Sequence, residues 1–196
     1  MMRRLARAVV LALALAGVAH AEDGAGAPPP PGRSIYNLNE TWTNQDGVAK
    51  PLSSLSGKPA VVAMGYTICK DLCPAVVLDM TWVERHLKPE SAKKVRFAFF
   101  SFDSEADTPE RLTLYAEAHG LDLDRWTLFD SDDDSARDLA AALGVHYRPD
   151  GQGGFIHSAV ITLLDKDGVI VFQQQGVEAT PKELLDRVER LLASGT

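Results

Sequence analysis

Two cysteines that lie close together in the sequence are the residues best suited to chemistry. Cys69 and Cys73 are the only cysteines of the 196-residue chain, and three residues separate them. A disulfide between them would close too short a loop to stabilise a fold appreciably, and two thiolates cannot complete a four-thiolate zinc site. They sit where a buried strand is predicted to give way to a helix, whose positive end favours thiolates. The spacing therefore predicts a redox pair or two ligands of one metal ion.

The same placement predicts unequal surroundings for the two sulfur atoms. Residues four apart on a helix share a face, which would bring both sulfurs to one ion. Cys73 continues an apolar stripe through Val76 and Met80, so its sulfur should face the core and that of Cys69 the surface. Between them, Lys70 adds a positive charge near the thiols, and Asp71 is a carboxylate of the kind common in a first helical turn.

A third ligand would have to come from elsewhere in the chain, and histidine is the best candidate. Thiolates select Cu(I) or zinc, and an added imidazole also suits Cu(II). His86 and His119 fall in predicted helices, whereas His146 and His157 flank a glycine-containing loop over residues 147–156. His157 immediately precedes a predicted strand, which would fix one end of a ligand. Taken alone, however, such a loop histidine is more often exposed to solvent.

Strands and helices alternate in the part of the chain that must position these side chains. Apolar runs predict buried strands, and apolar residues recurring every three or four positions predict helices. The predicted strands cover residues 59–66, 95–102, 126–129, 159–164 and 169–173. The predicted helices cover residues 71–87, 108–119 and 135–143, and a last helix starts from a capping box at 180–183. This order predicts an α/β, thioredoxin-like fold with a mixed central sheet, helices on both faces and an N-terminal extension.

The first 21 residues have the pattern of a secretory signal peptide. Three arginines at positions 3, 4 and 7 precede an uncharged run over residues 8–19, and alanines at positions 19 and 21 suit a cleavage site after Ala21. The alternative is an uncleaved anchor, but these 12 residues fall short of the roughly 20 that span a bilayer. We therefore expect an exported, periplasmic protein with a Pro/Gly-rich linker over residues 22–33 and one domain over 34–196.

Charge excludes one class of partner. The chain carries 20 lysines and arginines against 27 acidic residues, and removal of the signal peptide leaves 17 cations, for a formal charge of −10. Nucleic-acid binding requires a basic surface, so an acidic exported domain is not expected to bind nucleic acid. Outside the cytoplasm the environment is oxidising, so two neighbouring thiols there require a metal or a reductant.

Three segments of the sequence resemble the motifs of one protein family. They are residues 65–74 (GYTICKDLCP), residues 101–116 (SFD, DTPE and YA) and residues 155–168 (FIHS, followed by a strand and DKDG). In this order and with these intervals they resemble the Sco/SenC family of copper chaperones for cytochrome c oxidase assembly. Two features depart from the family pattern: Lys70 stands where the family usually has proline, and the N-terminus looks cleavable although the family is often membrane-anchored.

The resemblance implies a function and a set of site residues. It implies that Cys69, Cys73 and His157 bind one copper ion, as Cu(I) or Cu(II). It further implies delivery of copper to the binuclear copper site of cytochrome c oxidase subunit II, or reduction of the thiols of that site. Another periplasmic copper chaperone is a further expected partner, and proximity to a membrane is compatible with this role.

Two other activities use the same cysteines and remain open. A thiol–disulfide oxidoreductase acting on partner cysteines would need the same pair and the same fold. A peroxidase is a weaker hypothesis, because Thr67 lies two residues before Cys69 rather than in a T-x-x-C arrangement. The primary prediction is therefore a metallochaperone, with oxidoreductase activity as the alternative.

Several residues near the cysteines in the predicted fold are expected to have structural roles. Met64 and Met80 fall on apolar stripes and are interpreted as core rather than as copper ligands. Asp107 and Thr108 are explained as cap residues of a helix. Asp103 and Asp107 are also candidates for shaping a partner surface near the site.

Overall fold

The computed structural model describes residues 31–195, which form a twisted mixed sheet with helices on both faces. This confirms the predicted α/β, thioredoxin-like fold. The predicted signal peptide and residues 22–30 of the predicted linker lie outside the described residues. Within the described part of the chain, no helix is long and apolar enough to cross a membrane.

In the described part of the chain, seven strands form the central sheet and two more form a separate hairpin. The strands are β1 (Thr41–Asn44), β2 (Ala49–Pro51), β3 (Ala60–Gly65), β4 (Arg96–Ser101), β5 (Trp126–Asp130), β6 (Tyr147–Pro149), β7 (Phe155–His157), β8 (Val160–Leu164) and β9 (Ile170–Gln175). The order across the sheet is β2-β1-β5-β4-β3-β8-β9. Strands β3, β4 and β5 run parallel, and their neighbours on either side run antiparallel. The carboxyl ends of the three parallel strands therefore meet at one edge of the sheet.

Within residues 31–195, five α-helices cover the two faces of the sheet. They are α1 (Leu72–His86), α2 (Pro89–Ala92), α3 (Pro109–His119), α4 (Asp133–Leu143) and α5 (Lys182–Ser194). Alternate residues of a strand point to opposite faces, so β3 sends Val62 to one hydrophobic cluster and Val61 to the other. The first cluster includes buried side chains of α4, and the second includes those of α1, α3 and α5. Met64 and Met80 are both buried in these clusters, as predicted.

The secondary structure differs from the sequence predictions in the N-terminal segment, in the predicted loop and at the start of the last helix. The N-terminal extension contains β1 and β2, which the strand pattern did not indicate because the segment is short and mostly polar. Residues 147–156, predicted as a loop, contain most of the β6–β7 hairpin, in which Tyr147 pairs with His157. The predicted capping box is wrong, because the N-cap of α5 is Pro181 and no side-chain hydrogen bond caps this helix.

Candidate metal centre

The two cysteines lie where β3 ends and α1 begins, at the carboxyl edge of the parallel strands. The chain turns after Gly65, and the backbone N–H of Cys69 donates to the carbonyl of Tyr66 across this turn. Helix α1 starts only at Leu72, so Cys73 is helical but Cys69 is not. The two sulfurs therefore come together as the spacing predicts, although Cys69 precedes the helix and the two residues do not share a helix face. Instead, the turn folds back over the helix start, and the N–H of Cys73 points at Cys69 Sγ over 3.4 Å.

The two thiols differ sharply in exposure, as the apolar stripe predicts. Cys73 is 1% exposed, whereas Cys69 is half-buried. The buried thiol lies directly over the backbone of Gly65, where a Cβ atom would stand 2.7 Å from Cys73 Sγ and 2.7 Å from the ring of Phe99. Only glycine leaves room there, because real Cβ atoms do not approach other heavy atoms so closely. Gly65 therefore sets the depth at which the buried thiol can sit.

His157 reaches the cysteines from the β6–β7 hairpin. Its Nε2 lies 3.3 Å from Cys73 Sγ and 3.9 Å from Cys69 Sγ. The ligand atoms of the three residues all lie within 4.8 Å of one another, and they form the one such metal-ligating group found among residues 31–195. His157 Nδ1 lies 3.1 Å from the carbonyl oxygen of Ser158. A carbonyl can only accept, so when Nδ1 carries the proton it donates to Ser158 and leaves the Nε2 lone pair free for a metal ion.

Aromatic rings hold the imidazole in place. The rings of Tyr66 and Phe102 meet the imidazole of His157 edge-on, at centroid distances of 6.0 and 5.2 Å. Tyr66 also fastens the hairpin, because its hydroxyl accepts from the N–H of Phe155 over 3.2 Å. One residue thus links the cysteine turn, through its backbone, to the histidine hairpin, through its hydroxyl. Sequence reasoning did not single out Tyr66, although it belongs to the GYTICKDLCP segment.

The surroundings shift the two thiol pKa values in opposite directions. Burial acts to raise the pKa of Cys69, but the N–H groups of Cys73 and Asp71 and the imidazole of His157 outweigh it and lower the value to about 7. For Cys73, burial dominates and raises the pKa well above its usual range, and the charge of Cys69 adds to this effect. The predicted favouring of thiolates at the helix start thus holds for Cys69 alone.

Asp107 anchors the turn that carries Cys69. The side chain is fully buried, and its carboxylate accepts from the N–H of Thr67 over 2.9 Å, from the Thr67 hydroxyl and from the Ser101 hydroxyl over 2.6 Å. The N-cap of α3 is Thr108, whose side chain accepts from the N–H of Arg111, so only Thr108 caps this helix as expected. Asp107 instead fastens Thr67 to the end of β4, two residues before the first cysteine.

The remaining predicted residues are not brought into the centre. Asp103 is buried like Asp107, so neither carboxylate is placed on an exposed partner surface. Lys70 and Asp71 are exposed, and the Asp71 side chain makes no capping hydrogen bond. The other described histidines lie elsewhere: His86 stacks on Trp82, His119 contacts Tyr115, and His146 is exposed.

We predict that Cys69 alone reacts with iodoacetamide near neutral pH in the reduced, metal-free protein. The rate should rise with pH through a midpoint of about 7, since the thiolate is the nucleophile and its fraction grows as the pH passes the pKa. At pH 6 about a tenth of Cys69 should be thiolate, against less than about 1% of an ordinary cysteine. Mass spectrometry of the labelled peptides identifies the cysteine. Cys69→Ser should abolish labelling, and a midpoint near that of a free cysteine would contradict the assigned hydrogen bonds.

We predict that Asp107→Ala lowers the free energy of unfolding by at least about 2 kcal/mol, because the N–H and hydroxyl of half-buried Thr67 and the hydroxyl of buried Ser101 lose their acceptor. It should also raise the midpoint of Cys69 alkylation, because the turn that holds Cys69 against its N–H donors is released. Asp107→Asn, which keeps one acceptor oxygen, should recover part of both effects. Asp132→Ala is the matched control: Asp132 caps α4 by accepting from the N–H of Ser135, far from the cysteines in sequence. It should lower stability without moving the midpoint. Equal midpoints in the Asp107→Ala and Asp132→Ala variants would show that Asp107 supports the fold only.

Comparison with known proteins places this geometry in one family. The family model described as SCO1/SenC matches residues 36–193. The SCO1 protein homolog of Bacillus subtilis (strain 168) is 31% identical over 144 residues, which cover 72% of this chain and 74% of that protein.

Solved structures are similar over more than three quarters of this chain. The copper-bound structure of ScoI from Bradyrhizobium japonicum is 30% identical, with a TM-score of 0.65 over 77% of this chain and 96% of that one. BsSco, described as a Sco-family cytochrome c oxidase assembly protein with a disulfide switch, is 28% identical, with a TM-score of 0.68 over 78% of this chain and 90% of that one. With its family match extending over most of the sequence and its cysteine pair meeting a histidine at the sheet edge, this chain belongs to the SCO1/SenC family.

Proposed function

We propose that this chain is an exported copper-binding protein that carries one copper ion on Cys69, Cys73 and His157 and transfers it to a cytochrome c oxidase. The convergence of these three ligand atoms carries the proposal. We further propose that the copper is delivered to the binuclear copper site of subunit II, or that the protein keeps the thiols of that site reduced. Copper is the cargo of the protein rather than a resident cofactor.

The spacing of the three atoms fits one ion. Two ligands of the same ion cannot be farther apart than twice the bond length, which for a metal–sulfur bond of about 2.3 Å is about 4.6 Å. The imidazole Nε2 meets this limit with both sulfurs, at 3.3 and 3.9 Å. The three ligand atoms can therefore bind one ion with little movement of the cysteine turn or of the hairpin.

The chemistry of the donor set favours copper. Two thiolates are soft ligands that suit Cu(I), and one imidazole extends the set to Cu(II). The pKa of Cys69 is lowered to about 7, so much of this thiol is thiolate at neutral pH. A neutral His157 can offer the lone pair of Nε2 to the same ion. Binding to Cys73 displaces its proton, because its buried thiol is otherwise protonated.

Three observations support export, an oxidase partner and copper as the cargo. The sequence pattern of residues 1–21 is that of a signal peptide with cleavage after Ala21, which would place the protein in the periplasm. One structural relative is described as a cytochrome c oxidase assembly protein, and another was crystallised with copper bound. A second periplasmic copper chaperone, acting as donor, completes the proposed route.

A thiol–disulfide oxidoreductase is the second candidate function, and the unequal burial of the two thiols favours it. In this mechanism the Cys69 thiolate attacks a disulfide of the partner and releases one partner thiolate. Cys73 then loses its proton and attacks Cys69 Sγ, which releases the second partner thiolate. Two electrons pass to the partner, and an external dithiol regenerates the pair. The alkylation experiment above tests this role as well, since an unreactive Cys69 would exclude it.

We predict that the reduced protein binds one copper ion per chain in an anaerobic titration. With Cu(II), sulfur-to-copper charge-transfer bands should appear in the absorption spectrum and be lost in Cys69→Ser and in Cys73→Ser. His157→Ala should weaken the affinity at least about tenfold, since changes in the residues that merely support a metal ligand cost 10- to 100-fold.

His146→Ala is the matched control, because His146 borders the same hairpin but is exposed. It should leave both the spectrum and the affinity unchanged. If His157→Ala binds copper as tightly as the unaltered chain, the ligand assignment is wrong.

A further inference from the structure

A basic cleft lies at the end of the sheet opposite the cysteines. It has a volume of about 700 Å³ and opens where the amino ends of β4 and β5 meet the segment before β3. Its charged lining consists of Lys58, Lys93, Arg96, Arg125, Asp122 and Asp124. Four cations against two carboxylates give it a formal charge of +2 in a chain whose net charge is −7. The cleft is therefore a positive region on an acidic protein.

Most of this positive charge is not neutralised by neighbouring side chains. Arg125 is held by Glu84 and Asp122. In contrast, Lys58, Lys93 and Arg96 take part in no ion pair among residues 31–195. Lys58 Nζ donates to the carbonyl of Lys93, and an Arg96 N–H donates to the carbonyl of Ser54. Both partners are neutral, so the charges of these side chains stay available to an anion.

Further lysines extend the positive region beside the cleft. Lys94 and Lys166 line a shallower depression that shares Lys58 with it. Lys166 is paired with Asp167, whereas Lys94 is exposed. The cations therefore spread over one end of the domain instead of enclosing a single small ligand, which suits a flat anionic surface.

The described chain enters the domain at this same end. The N–H of Ile35 donates to the carbonyl of Gly168, and Ser34 bridges to Val169, in the turn that also carries Lys166. The carbonyl of Lys166 in turn accepts from the N–H of Gly57, next to Lys58. The described chain thus begins beside the basic cleft.

We propose that the basic end of the domain, defined by Lys58, Lys93, Lys94 and Arg96, docks on the anionic headgroups of a phospholipid bilayer. Lysines and arginines close to an anionic membrane each contribute to binding in a salt-dependent way. An acidic protein partner would match the same charges, but cations contributed by separate segments and spread over one end of the domain favour an extended anionic surface, which a bilayer provides. The six residues of β3 separate this end from the cysteine turn, so docking turns the metal centre away from the bilayer. This proposal does not depend on the one for copper.

Vesicle co-sedimentation tests the docking surface. Residues 22–196, the product of the proposed cleavage, are suitable because both hydrophobic clusters of the described chain lie between Ile35 and Leu192. The protein should bind vesicles of equal parts phosphatidylglycerol and phosphatidylcholine at low salt and be released at high salt. It should not bind phosphatidylcholine alone. Lys58→Glu with Lys93→Glu should weaken binding more than about tenfold, and Lys58→Gln with Lys93→Gln should weaken it less.

A matched pair of charge reversals provides the control. Arg148→Glu with Lys182→Glu changes the net charge equally, but Arg148 lies on the histidine hairpin and Lys182 follows the carboxyl end of β9. This variant should bind vesicles within about twofold of the unaltered chain. Equal loss in both pairs, or equal binding to both kinds of vesicle, would overturn the proposal. Stronger binding to inorganic phosphate or to polyglutamate than to the anionic vesicles would also overturn it, in favour of a small anion or an acidic protein.

Discussion

The close contact between the Cys73 thiol and the backbone of Gly65 is the constraint on which the metal centre depends. A side chain at position 65 would collide with Cys73 Sγ and with the ring of Phe99, so the strand must end in glycine for the thiol to be buried there. Once Cys73 is fixed at the start of α1, the turn before it is short. Cys69 must then lie over the helix start, where N–H groups lower its pKa. Burial of one thiol and activation of the other follow from the same contact.

The third member of the centre is positioned by contacts far apart in sequence. His157 ends the β7 strand, and the ring and hydroxyl of Tyr66 hold that hairpin against the end of β3. Asp107 fastens the intervening turn to β4 through Thr67. The centre is thus assembled from three segments, each tied to the rigid sheet edge by a different interaction. Such an arrangement can keep three ligand atoms close together without an ion to organise them.

Sequence reasoning predicts much of this arrangement, but it fails where tertiary contacts decide. The sheet, the helices and the unequal burial of the cysteines follow from apolar patterns along the chain. The residues alone do not distinguish His157 from His146, since both border the same glycine-containing segment. The β6–β7 hairpin, in which Tyr147 pairs with His157, brings His157 to the cysteines. From the sequence, only the family resemblance indicates this histidine. The position of Asp107 before Thr108 and Pro109 predicts a cap, whereas its partner Thr67 lies 40 residues away in the sequence.

The central claim is that one copper ion is held by two sulfur atoms and one imidazole nitrogen of a single chain. Copper K-edge X-ray absorption of the copper-loaded protein measures the neighbours of the ion most directly. The account predicts two sulfur scatterers and one imidazole per copper, with no second copper nearby. A shell of nitrogen and oxygen alone, or copper–copper scattering from a shared cluster, would contradict it.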